Sequence, residues 1–355
     1  MKAAVMYGIR DVRIESRPKP KVGPHDVLVQ IKRVGVCASD IHYFTHGRIG
    51  SFVVKNPLIL GHESAGSVAE VGSDVTRFKP GDRVTIEPGY TCGQCYYCKT
   101  GRYNLCPDVV FLATPPVDGA FCEYIAWPED FVFALPKGMS FEEGAMMEPL
   151  SVGLWAVKRS NAGPGSIIAI WGAGPIGLVT LQSAKVVGAT TLIVVDIVQS
   201  RLEHAKRLGA THIINGSKED SIEQIRNICS EITGLKPENT GVDASFETAG
   251  TIPTTRCAMS VARPGGVVLL IGLPPDPMVE LDIVSVASKE VDIRGQFRYA
   301  HCYPTALALT AAGRVDVKSL VTHHFPLSQV AEALKFADES KAKAVKVVVD
   351  VTEEA

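Results

Sequence analysis

Four cysteines, Cys92, Cys95, Cys98 and Cys106, stand in a C-x2-C-x2-C-x7-C spacing. Four thiolates on so short a loop can close a tetrahedral shell around one ion and leave no position for a substrate, which is the mark of a structural site. Zinc suits a closed four-thiolate set; an iron–sulfur cluster and free thiols are the alternative readings. A second group of possible ligands is dispersed: Cys37, then His62 and Glu63 side by side, then Glu148. Spacing alone does not join them, and a buried cysteine by itself acts mainly as a small hydrophobe.

A third pattern concerns a dinucleotide. Gly172-Ala173-Gly174-Pro175-Ile176-Gly177 fits G-x-G-x-x-G and lies between the apolar run Ile167 to Trp171 and the helix-like Leu178 to Lys185. One glycine makes the tight turn, one lets the backbone approach a pyrophosphate, and one permits close helix packing, while the helix N-terminus offers its N–H groups to the phosphates. Asp196 ends the next apolar run, 19 residues after Gly177. A carboxylate there binds ribose hydroxyls and repels a 2′-phosphate, which favours NAD over NADP. Arg201 follows and could cover the adenine side, or be a surface arginine. Ile271-Gly272-Leu273 closes a later buried run, at the end where open sheets place ligands.

These residues need two kinds of scaffold. Up to about residue 150 short β-rich runs alternate with Gly and Pro: Asp26 to Lys32, Ser64 to Val71, Pro80 to Val84. This predicts a mostly β lobe. From about Gly165 apolar runs alternate with helical stretches, as at Ile167 to Trp171, Thr191 to Val195 and Val267 to Ile271. That is the pattern of βαβ units and a parallel sheet. The closing run Ala344 to Val349 could rejoin the first lobe. At 355 residues two lobes are the default. The net charge of −2 gives no general attraction to nucleic acid or anionic lipid, so the expected partner is a small molecule. No stretch has the length of a membrane span, and the first residues lack the features of a signal peptide; the expected location is the cytoplasm.

Five segments, taken in order, resemble the zinc-containing medium-chain dehydrogenases, and within them the sorbitol/xylitol (polyol) subgroup. They are Gly35-x-Cys37-x-Ser39-Asp40, His46-Gly47-Arg48-Ile49-Gly50, Gly61-His62-Glu63, Glu148-Pro149-Leu150-Ser151-Val152-Gly153 and Phe297-Arg298-Tyr299. The likeness covers essentially the whole chain. It implies an α/β fold class: a doubly wound Rossmann sheet that binds NAD over 151–291, and a GroES-like, mostly-β catalytic domain from 1–150, with a zinc lobe near 88–110 and a return segment, 292–355, that completes it. A homotetramer is the common assembly. By position, Cys37, His62 and Glu63 match the catalytic zinc ligands, with water or a substrate oxygen completing the shell. Glu148 would hold that water or substrate, and could exchange roles with Glu63. Tyr43, Arg298 and Tyr299 match substrate-side positions, and Gln296, Phe297 and Arg298 lie toward the cofactor. The four-cysteine lobe departs from animal sorbitol dehydrogenases, which generally lack it, so the lobe marks the wider family and not the substrate.

The chemistry so implied is oxidation of a secondary alcohol of a polyol to a ketone with hydride transfer to NAD. Zinc would favour the alkoxide, and Ser39 and His42 are candidates to pass the proton to solvent, unless they merely cap a helix or bind the backbone. Two other readings stand beside it. One is a zinc dehydrogenase for threonine, butanediol or a simple secondary alcohol; the other is a cofactor-binding relative without zinc chemistry, against which Cys37, His62, Glu63 and Glu148 all speak.

Overall fold

The structure, a computed structural model, describes residues 1–274, 276–340 and 342–352. The chain divides into two compact units. The first comprises Met1–Glu148, Tyr303–Gly313 and the segment from Val317 on; the second comprises Pro149–Cys302 and Arg314–Asp316.

The first unit is built on a seven-stranded sheet. Its order is Val132–Ala134, Arg83–Ile86, Glu63–Val71, Asp26–Gly35, Lys346–Asp350 and Val321–Pro326, with Tyr124–Pro128 also paired to Asp26–Gly35. The long strand Asp26–Gly35 carries the architecture, because Val27, Val29, Ile31 and Val34 are fully buried in one apolar core with Ile86, Phe121 and Trp127. The closing strand pairs antiparallel with it, Val348 opposite Gly35. Pro80 to Asp82, read as part of a strand, form instead a turn in which Asp82 Oδ2 accepts from the Lys79 N–H (2.9 Å), and the strand begins at Arg83. Proline and a glycine at φ +92° cannot extend the ladder there.

The second unit is a six-stranded sheet whose pairings are all parallel, in the order His212–Asn215, Thr191–Asp196, Ile167–Trp171, Val242–Glu247, Ala262–Leu270 and Asp292–Gly295. Every residue of Ile167–Trp171 is buried, as expected of a central parallel strand covered on both faces. The strand order reverses between Ile167–Trp171 and Val242–Glu247, the switch point at which doubly wound sheets bind dinucleotides. Asp292–Gly295 is the edge strand, so this unit runs past residue 291. No helix among the described residues is long and apolar enough to cross a membrane.

Candidate active site and metal centres

Three ligand-bearing residues converge in the first unit. Cys37 caps the helix Ala38–His46, and its own N–H donates to Asp40 Oδ2 (2.9 Å). Asp40 is fully buried, and its other oxygen accepts from the Gly61 N–H (2.9 Å) and lies 3.6 Å from His62 Nδ1. Glu63 opens the strand Glu63–Val71 directly opposite Gly35. Cys37 Sγ, a ring nitrogen of His62 and a Glu63 carboxylate oxygen thus come within 4.8 Å of one another. Burial works against a charged His62, but the Asp40 carboxylate and Cys37 outweigh it and hold this imidazole well above its ordinary pKa. When His62 binds a metal through Nε2, the Asp40 contact fixes its ring orientation.

Lys346, from the closing strand, is buried against the same cluster. Its Nζ straddles the Glu63 carboxylate, 2.5 Å from each oxygen, and donates also to the Val36 carbonyl (2.9 Å). Burial opposes the ammonium, yet Glu63 and Cys37 raise its pKa above the usual lysine value. Glu63 Oε2 is enclosed, with the Lys346 ammonium against it. A thiol, an imidazole and a carboxylate so gathered are three donors that zinc accepts, and a tetrahedral ion would keep a fourth position for water or substrate.

Glu148 stands outside this three-residue set but close to it: it is 6% exposed, in the first turn of Met147–Ser160, and its charge acts on both Lys346 and Glu87. Glu87 is a further buried carboxyl, which accepts from the Tyr103 hydroxyl (2.6 Å). Ser39 is the second residue of the helix after Cys37 and half-buried; His42, one turn on, has its ring 5.6 Å from that of His46. Tyr43 is almost fully enclosed in the apolar core of the unit.

The four cysteines also converge. Cys95 Sγ lies 3.5 Å from Cys98 Sγ, Cys106 Sγ 3.5 Å from Cys92 Sγ, and Cys92 Sγ 4.0 Å from Cys98 Sγ. Tetrahedral thiolates about 2.3 Å from a zinc ion sit roughly 3.8 Å apart, so the spacing fits that ion. Backbone N–H groups of Gln94 and Cys95 bring the Cys92 thiol down to about 7, while burial pushes Cys106 up to about 12.

In the second unit Gly172 adopts φ +102°, and a Cβ on Gly177 would meet the Gly172 carbonyl oxygen at 1.8 Å. The turn therefore needs glycine at both places. Helix Pro175–Val186 starts at Gly174 with proline in its first turn, and no side chain of Gly174 caps its first N–H groups. Ile176 lies in that first turn. Asp196 Oδ2 accepts from the Ala173 N–H (2.6 Å) and Oδ1 from the Val198 N–H (2.8 Å), which fixes the carboxylate beside the glycine turn. Arg201 is nearby: burial lowers its pKa and Asp196 opposes that effect. Ile271 and Gly272 both donate to the Glu247 carbonyl (3.0 Å each), and Leu273 is exposed. Gln296 Nε2 donates to the Val152 carbonyl (2.8 Å); the Arg298 guanidinium stacks 4.6 Å above the half-exposed Phe297 ring, and Tyr299 is buried.

Sequence reasoning passed over Asp40 as a functional residue and missed Gly35, Glu87 and Lys346. The only available signal for Lys346 was a lysine inside the apolar closing run Ala344 to Val349.

Known proteins resemble this chain along nearly its whole length. Residues 23–137 match the family described as alcohol dehydrogenase GroES-like domain, and residues 175–312 match zinc-binding dehydrogenase. A sorbitol dehydrogenase of Bacillus subtilis (strain 168) is 49% identical over 349 residues, 98% of this chain and 97% of that protein. Among solved structures, an Escherichia coli oxidoreductase/dehydrogenase of unknown specificity involved in membrane biogenesis superposes with a TM-score of 0.93 at 40% identity, covering 99% of both chains. A zinc-binding dehydrogenase of Sinorhizobium meliloti 1021 bound to NADP superposes with a TM-score of 0.89 at 30% identity, again covering 99% of both.

Proposed function

The chain belongs to the family of zinc-binding alcohol dehydrogenases with a GroES-like domain, and from that membership we propose that it oxidises a secondary alcohol of a sorbitol- or xylitol-type polyol to the ketose with NAD. The observation that carries the reading is the convergence of the half-buried Cys37 with the buried His62 and Glu63 in one cluster, with Glu148 beside it. The near-full-length likeness to a sorbitol dehydrogenase supports the substrate class.

In this reading Cys37, His62 and Glu63 hold the catalytic zinc, and Cys92, Cys95, Cys98 and Cys106 hold a structural one. A zinc ion in the first site supplies Lewis acidity that lowers the pKa of a hydroxyl brought to it; NAD supplies the hydride acceptor. Asp40 orients His62. Glu148, a buried carboxylate at the edge of the cluster, holds the substrate hydroxyl or a water in place. Ser39 and His42, on the same helix as Asp40 and partly exposed, move the released proton toward solvent. Gly172, Gly174, Pro175, Ile176 and Gly177 receive the pyrophosphate, and Asp196 receives the adenosine ribose, its charge disfavouring a 2′-phosphate. Arg201, Ile271, Gly272, Leu273, Gln296 and Phe297 complete the cofactor side. Tyr43, Arg298 and Tyr299 are assigned to the substrate side on the family resemblance, as are the homotetramer and the cytoplasmic location.

The test is initial-rate reduction of NAD and of NADP with sorbitol, xylitol, 2,3-butanediol, threonine and ethanol. The reading expects polyols and NAD to give the highest kcat/KM. Turnover confined to threonine or butanediol would move the substrate, and a preference for NADP would remove Asp196 from its assigned role.

A further inference from the structure

Lys346 is set apart by its surroundings. Its side chain is 3% exposed, and its polar contacts go to the Glu63 carboxylate and the Val36 carbonyl. Three segments meet here in register: Gly35 opposite Glu63 on one side and opposite Val348 on the other. A Cβ at Gly35 would lie 1.9 Å from Glu63 Oε2 and 3.0 Å from Lys346 Cε, so the absence of a side chain at Gly35 is what lets the ammonium and carboxylate meet beside Cys37.

The cluster gathers Cys37, Glu63 and the nearby Glu148, all of which carry negative charge when deprotonated. One fixed cation buried among them offsets part of that charge without a metal. It also draws electron density from the very carboxylate that a metal would use, and repels a divalent ion directly, in a region where low polarisability strengthens both effects.

We propose that Lys346 is a positioning residue that competes with the metal for the Glu63 carboxylate, so that the Cys37–His62–Glu63 site keeps its shape when empty and releases its ion more readily than the same donors would without the lysine. The proposal rests on the zinc-site reading given above. It concerns the ion's retention, and the four-cysteine site of the same chain serves as an internal standard.

The experiment follows zinc release from the fully loaded protein into excess chelator with a chromogenic zinc indicator, for the wild-type chain, Lys346→Met, Lys346→Gln and Lys346→Arg. Outer partners of metal ligands are worth roughly 10–100-fold in metal affinity, ordinarily in the ion's favour; a buried cation that competes for the carboxylate acts the other way. The Met and Gln variants should therefore release the faster-exchanging zinc about tenfold more slowly, with release from the four cysteines unchanged. Lys346→Arg, which keeps the charge, should stay close to wild type. Lys346→Gln removes the charge while keeping a hydrogen-bond donor, so it decides the matter even if the Met variant fails to fold. Release from Lys346→Gln at the wild-type rate or faster would overturn the proposal while leaving the zinc site intact. A wild-type chain that holds one zinc alone, at the cysteines, would overturn both.

Discussion

Asp40 performs three tasks within one turn of helix: it caps the backbone at Cys37, fixes the Gly61 N–H, and faces the His62 ring. Gly35 has the complementary task of leaving space. Gly35→Ala would place a methyl group 1.9 Å from Glu63 Oε2, so the carboxylate must move away from its place in the cluster. Metal analysis of the purified variant should find the catalytic-site zinc lost and the four-cysteine zinc kept; retention of both ions would show that Glu63 is not needed to hold the first. Glu87 yields a prediction in pH. Burial pushes its carboxyl from the ordinary 4.5 up to about 7, against the Tyr103 hydrogen bond and with the Glu148 charge adding to the rise. Raising the pH therefore ionises the unfolded chain first, and the folded state loses relative stability from about 4.5 up to about 7, at about 1.4 kcal/mol per unit or roughly 3 kcal/mol in all. Glu87→Gln abolishes this loss. Its melting temperature relative to wild type should rise between pH 5 and pH 8 and level off, whereas a difference constant in pH would mean that Glu87 does not titrate there. At this scale Cys37, His62 and Glu63 were legible because they stand in short motifs. Gly35 and Lys346 were not, because their roles arise from a strand register that joins positions some 310 residues apart.

The cysteine lobe shows why an element can depend on a metal. Between Cys92 and Cys106 the only regular structure is the four-residue helix Tyr96–Lys99 and the turn Tyr103–Leu105, and only Asn104 and Cys106 are buried. With no apolar core of its own, such a loop needs a cross-link, which the proposed zinc would supply. Cys95→Ser should remove one zinc per chain and expose residues 92–106 to limited proteolysis while the other zinc stays; a protease-resistant lobe without its zinc would contradict this. Ile167–Trp171 and Thr191–Asp196 were legible as continuous apolar runs, the mark of parallel strands covered on both faces; the equally central Val242–Glu247 was not, because Asp243, Ser245 and Glu247 interrupt it. Asp292–Gly295 was not, since an edge strand that is largely exposed carries no such pattern. Ala262–Leu270 begins before its apolar part: Arg263-Pro264-Gly265-Gly266 have no partners in the ladder and bulge out between Ala262, paired with Val242, and Val267, paired with Ala244.

For the molecule as a whole, the division of labour follows from where the chain closes. The segment from Val317 on returns to the unit where the chain starts, and it brings Lys346 to donors that stand near residues 37 and 63. The parallel sheet, by contrast, lies within one continuous stretch of sequence, and its dinucleotide turn is a single local segment, Gly172 to Gly177, which is why that turn could be read from one motif. The central claim is that catalysis depends on an ion held by Cys37, His62 and Glu63. The most direct measurement removes zinc stepwise with a chelator and, at each step, counts the zinc remaining and the rate of NADH formation from a polyol. Activity should fall in proportion to the first zinc lost, persist in no fraction that retains only the four-cysteine ion, and return when zinc is restored. Full turnover in protein left with only the four-cysteine zinc would contradict the account.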